Sequence, residues 1–218
     1  NGNSIAGKSL DVLAGGILEI DTNASLQFDN RNALFCTANI AGTLNLIGTS
    51  TLPATLTRFN TGGQFVNITG TIAANNYVIE YLSTLGLNLT STAIVDATNN
   101  FSNGTFSNLN ATAGSTYITS ALVSDITSPT ISNVIFNYTG GAPTIGQQYN
   151  IIHNGAASIT FTDPISGALG CGIYKGGTKK SICIGMGRSY TCAVISSKKF
   201  CDIYIIPDIC ITIKFSER

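Results

Sequence analysis

Glu19 and Asp21 stand two positions apart and can share one face of a strand, with Asp29 further along. Carboxylates so arranged are candidate ligands for a hard cation, which takes six or more oxygens, but no basic residue is visibly placed beside these three. A glycoside hydrolase needs two carboxylates on one face, about 5 to 9.5 Å apart. Between Asn45 and Thr160 only Glu80, Asp96 and Asp125 are acidic. The single histidine, His153 in Ile151-Ile152-His153-Asn154, has no nucleophile or acid at motif spacing and reads as a hydrogen-bonded or solvated turn residue. The expectation is a chain without a catalytic centre, cofactor or metal.

Cysteine is the other reactive type. Cys183, Cys192, Cys201 and Cys210 fall nine residues apart, Cys171 lies twelve before them, and Cys36 is far upstream. Zinc asks for two close Cys-x2–4-Cys pairs or added histidine, which this spacing does not supply. Six cysteines in a secreted chain suggest disulfides, with the pairing open and Cys36 either a long-range partner or a free buried thiol. Asn-x-Ser/Thr acceptors occur at Asn23, Asn67, Asn88, Asn100, Asn103, Asn110 and Asn137. Asn100 and Asn103, in a glycine-containing corner, are the better glycosylation candidates.

Most of the remaining acceptors belong to a repeat. Val66-Asn67-Ile68-Thr69, Leu87-Asn88-Leu89-Thr90, Leu109-Asn110-Ala111-Thr112, Phe136-Asn137-Tyr138-Thr139 and Ile159-Thr160-Phe161-Thr162 share one pattern. Leu44-Asn45-Leu46 and Leu18-Glu19-Ile20 keep its alternation. Successive centres are 21 to 27 residues apart, a period that marks stacked repeats, each burying its apolar side chains against its neighbours. Alternation with period two is a strand signal. It points Leu87 and Leu89 one way, Asn88 and Thr90 the other. The expected architecture is all-β, a parallel β-helix (β-solenoid) of about seven rungs with a small Cys-containing β end element. If all repeats share one register, Asn67, Thr69, Thr71, Asn88, Thr90, Thr92, Asn110, Thr112, Asn137, Thr139, Thr160 and Thr162 form one outward polar ladder. Such a ladder suits a solvated strand face, or a flat surface for carbohydrate or ice.

The bulk properties agree. Charged residues are 10% and hydrophobic ones 44%, so the chain meets water largely through neutral hydroxyls and amides. A formal charge of +0 gives no electrostatic case for nucleic acid, and no apolar run is long enough to span a bilayer. The chain begins at Asn1 without a basic-then-apolar leader, as a processed or partial chain would. Residues 1–170 carry three basic and eight acidic residues, a charge of −5, whereas 171–218 carry eight basic and three acidic, +5. That shift, with five of the six cysteines, separates 1–170, a parallel β-helix whose first dozen residues close one end, from 171–218, a Cys/Lys-rich cap or assembly element. Alternation at Ile209, Ile211, Ile213 and Phe215 marks a strand in the latter.

On the repeat centres, the Gly-led strand Gly15-Gly16-Ile17-Leu18 and Asn/Ser-rich corners such as Asn99-Asn100-Phe101-Ser102-Asn103-Gly104, residues 14 to 170 resemble secreted right-handed parallel β-helix repeat proteins, the pectate-lyase-like superfold. The resemblance implies an extracellular or cell-surface setting and a structural or adhesive role, with self-association or a carbohydrate surface as partner. Lyases of that fold use a calcium-binding acidic cluster beside an Arg or Lys base. A polysaccharide-binding, polysaccharide-cleaving or ice-binding β-helix is the alternative, because fold alone selects no function.

Overall fold

The computed structural model describes residues 3–6, 9–29, 36–59, 62–124, 126–137, 148–157, 159–162, 165–166, 174–176, 180–186 and 189–195. Strands follow in groups of three: β1 (Asn3–Ala6), β2 (Leu10–Val12), β3 (Ile17–Ile20); β4 (Ser25–Asp29), β5 (Cys36–Ile40), β6 (Thr43–Ile47); β7 (Ala54–Arg58), β8 (Gln64–Ile68), β9 (Thr71–Asn75). They continue with β10 (Tyr77–Glu80), β11 (Leu82–Leu89), β12 (Ile94–Asn100); β13 (Gly104–Ser107), β14 (Thr116–Ser120), β15 (Ile126–Ser132). The last are β16 (Ile135–Asn137), β17 (Tyr149–His153), β18 (Ile159–Thr162), β19 (Ile165–Ser166), β20 (Tyr174–Gly176), β21 (Lys180–Met186) and β22 (Ser189–Ile195). No helix occurs among the described residues.

Each strand up to β21 pairs in parallel with strands three before or after it, which makes three walls. The first wall runs β1-β4-β7-β10-β13-β16-β19 and the second β2-β5-β8-β11-β14-β17-β20. The third is divided into β3-β6-β9-β12 and β15-β18-β21-β22. The chain is thus an all-β parallel β-solenoid, of about four turns where all three walls run as continuous sheets. Parallel pairing also carries β20 onto β17 and β21 onto β18, across residue 170. Among the described strands β22 alone runs antiparallel, against β21.

The alternation does the work that the sequence assigns to it. In β6, Leu44 and Leu46 are buried while Thr43, Asn45 and Ile47 are half-buried. Register then stacks like upon like: Ala38, Val66, Leu87, Ile118 and Ile151 form one inner column of the second wall. In the first wall the column Leu26, Leu56, Ile79, Phe106, Phe136 changes from aliphatic to aromatic along the axis. Each large buried side chain contributes about 1.5–3 kcal/mol. Tyr77 lies inside this core; burial pushes its phenol well above the usual tyrosine range, so it stays protonated and donates to the Phe101 carbonyl at 3.0 Å.

Candidate functional site

The second wall carries the polar ladder that the sequence suggests, with different members. Asp11, Asn39, Asn67, Asn88 and Thr119 occupy one register column on its outer side. Asn88 Nδ2 donates to Asn67 Oδ1 at 2.7 Å and Asn39 Nδ2 to Asp11 Oδ1 at 2.8 Å. Asn39 escaped the pattern because Ala41 stands where the repeat has threonine. Three of the threonines bond to backbone carbonyls of a neighbouring turn. At the corner into the third wall, Thr69 Oγ1 donates to the Ile40 carbonyl at 3.2 Å and Thr90 Oγ1 to the Ile68 carbonyl at 3.1 Å, each one turn away. Thr92 Oγ1 reaches the Thr69 carbonyl at 2.9 Å. Stitching between turns therefore accounts for Asn67, Thr69, Asn88, Thr90 and Thr92.

The single-column expectation does not hold. Glu19, Asn45 and Thr71 lie in the third wall, where Glu19 pairs with Asn45 and Asn45 with Ala73. Asn137 belongs to the first wall, in register with Ser107. Asn110 sits in the loop before β14, where its Oδ1 accepts the Thr112 amide at 2.9 Å. Thr160 and Thr162 are in β18, opposite Cys183 and Gly185. Thr139 lies outside the described residues. The physical reason is that every wall of a solenoid has an outward side, so one four-residue pattern fits all three.

The sequence reading missed a second ladder. Asn76, Asn103 and Asn133 each precede a first-wall strand and take a left-handed backbone conformation, with φ of 52°, 57° and 55°, which Asn tolerates best after Gly. Asn133 Nδ2 donates to Asn103 Oδ1 at 2.9 Å, and Asn103 Nδ2 to Asn75 Oδ1 at 3.1 Å. Asn103 is exposed, but Asn100 is 3% exposed and its Oδ1 accepts from Ser102 Oγ at 2.7 Å. That burial removes Asn100 as a glycan acceptor on the folded chain.

The chemistry-bearing residues are dispersed. Glu19 and Asp21 are exposed at the third wall, whereas Asp29 is buried at the end of a first-wall strand; Arg31 lies outside the described residues. Among the described residues no group of three or more His, Cys, Asp and Glu could hold a metal. His153 is buried at the end of β17 and not in a turn. Its Nε2 donates to the Ala157 carbonyl at 2.8 Å and its Nδ1 shares a hydrogen bond with Ser120 Oγ at 3.0 Å. Cys36 is buried, and its thiol donates to the Asp29 carbonyl at 3.4 Å. Cys183 and Cys192 occupy directly opposed positions of β21 and β22. Cys171, Cys201, Cys210 and the alternating stretch from Ile209 to Phe215 lie outside the described residues.

The densest polar arrangement is at the corner between the first and second walls. Glu80 accepts from Thr57 Oγ1 at 3.0 Å, Ser107 Oγ at 2.8 Å and Asn108 Nδ2 at 3.4 Å, so one carboxylate ties three turns together. The Arg58 guanidinium lies 3.7 Å from the Tyr81 ring centroid and donates through Nη1 to the Gly62 carbonyl at 2.8 Å. The cavity between Tyr77, Phe106 and Ile151 is only ≈ 10 Å³, at the limit for a single water.

Comparison with protein-family models, curated proteins and solved structures returns no match. No described helix is long and apolar enough to cross a membrane.

An expected result concerns the amide ladder. Asn88→Ala removes one partly exposed hydrogen bond and should lower unfolding free energy by about 1 kcal/mol. Urea denaturation measures it; a loss above about 3 kcal/mol would mean that the ladder carries far more of the fold than one stitch.

Proposed function

We propose that this chain is a non-catalytic extracellular structural or adhesive β-solenoid, of the secreted right-handed parallel β-helix type, with about seven rungs and a C-terminal end element. The observation that carries the reading is the use made of the polar groups. The amide ladders, the corner threonines and Glu80 bond to one another or to backbone along the axis, as they would in a rod built for rigidity. The antiparallel β22 supports an end element within 171–218, because a strand running against the stack occupies the edge where the next parallel rung would add. Opposed Cys183 and Cys192 suit a disulfide staple there, since neighbouring Cα atoms in an antiparallel pair lie about 4.5–5.5 Å apart.

The test is a pair of assays on the purified chain. Electron microscopy and light scattering across concentration, with adhesion to cell-surface material, should show assembly or attachment. A screen of neutral and acidic polysaccharides with and without calcium should show no depolymerisation above background. Turnover of any polymer would overturn the non-catalytic reading. The ice and repeating-lattice alternative is weakened by the corner threonines, whose hydroxyls are spent on backbone carbonyls.

A further inference from the structure

Arg58 ends β7 at the corner between the first and second walls. Among the described residues no carboxylate pairs with it. Glu80, one position before Tyr81, is held by Thr57, Ser107 and Asn108 instead. Stacking on Tyr81 fixes the plane of the guanidinium, and one bond to Gly62 leaves most of its fork of N–H donors unused. A guanidinium so oriented is preset to take a carboxylate through two parallel bonds.

Two further features converge on the same corner. Tyr81 holds φ at 55°, a left-handed conformation that a large aromatic residue avoids and that clusters at functional positions. Directly after it, β11 slips in register between Leu82 and Leu87, a bulge of the kind that re-aims side chains beside binding sites. The bulge leaves Leu85 48% exposed, and Phe59, next to Arg58, is 55% exposed. Half-buried Phe65 sits in β8, the strand that pairs with β11 across this bulge. An arginine, a tyrosine and exposed apolar side chains make up the residue set enriched in the centres of protein–protein interfaces.

We propose that the corner formed by Arg58, Phe59, Phe65, Tyr81 and Leu85 is a docking surface for a partner protein segment that presents an aspartate or glutamate flanked by apolar side chains. The carboxylate takes the free edge of Arg58, and the flanking side chains cover Phe59 and Leu85. A phosphorylated segment fits less well, because a dianion beside Glu80 would meet a single cation and a neighbouring negative charge. The surface goes beyond the structural or adhesive reading and does not depend on which of those roles holds.

Selection of a random displayed-peptide library on the full chain tests this directly. The expected outcome is enrichment of peptides with one acidic residue between apolar ones, with affinity falling at least about tenfold on Arg58→Gln and partially recovering with Arg58→Lys. Tyr81→Gly, which suits the left-handed backbone, should keep the melting temperature and still weaken binding, which separates loss of the stack from loss of the fold. Absence of enrichment, a consensus without an acid, or binding unchanged in Arg58→Gln would each overturn the proposal. So would Arg58-dependent binding of glucuronate oligomers in place of peptides.

Discussion

Replacing Gly70 with alanine should cost the fold about 3–5 kcal/mol, among the largest effects available to a single methyl group. Gly70 sits at the corner between the second and third walls, where its amide donates to the Ile40 carbonyl at 2.9 Å and its own carbonyl accepts from Ile94. A Cβ there would run into the backbone carbonyls of Gly42 and Ala41, one turn away. Gly42 stands in the same relation to the carbonyls of Gly16 and Leu13. The corner is therefore a stack of close backbone approaches. Carbonyl oxygens fixed by hydrogen bonds cannot swing aside as a side chain would, so the turns must separate. Gly15→Ala is the internal control: nothing lies within 4 Å of its Cβ position, and its φ of 81° is the only obstacle, costing about 1–2 kcal/mol. Chemical denaturation of both variants decides the matter. If Gly70→Ala loses no more than Gly15→Ala, close stacking at the corner is not what holds the turns together.

Because a solenoid contacts only its neighbouring turns, such a defect should divide it. Stability in stacked repeats is a sum of unit and interface terms, and Gly70 lies at the interface between the second and third turns. Hydrogen exchange in Gly70→Ala should show protection falling on β6 and β9 before it falls on β13 and β14.

How far the sequence displayed this fold depends on which feature is asked for. Period-two alternation in Leu87-Asn88-Leu89 gave strand, side and burial correctly, because inward Leu and outward Asn differ in polarity at every second residue. The rotation of the chain from wall to wall left no such mark. Turn length varies widely, from 21 residues between Asn67 and Asn88 to 33 between Ser120 and His153, since loops at the corners absorb insertions without disturbing the stack. A ruler of fixed length therefore slid from the third wall at Asn45 to the second at Asn67 and the first at Asn137. The asparagines at 76, 103 and 133 were readable in principle, as Asn one or two residues before three successive first-wall strands, but their signal is backbone conformation and not polarity. The Arg58–Tyr81 stack had no sequence signature, because its partners meet only when one turn settles on the next.

The aromatic stretch of the core yields the second large effect. Phe106 is fully buried and touches three other rings. It stacks on Phe136 at 5.5 Å and 14°, meets Tyr77 edge-on at 5.6 Å and 77°, and tilts against Tyr117 at 5.8 Å. Phe106→Ala removes the centre of that cluster at a place where neighbouring strands are clamped by the ladder and cannot collapse inward, so the cost should approach the upper part of the usual 3–5 kcal/mol range. Phe106→Leu keeps much of the volume and loses mainly the ring contacts, each worth about 0.5–1.5 kcal/mol, so it should fall between. For a chain of this size the alanine variant corresponds to a melting temperature lower by roughly 10 °C. A loss below about 1 kcal/mol would show that Tyr77, Tyr117 and Phe136 close over the gap, and that the first wall is far softer than its stacked register implies.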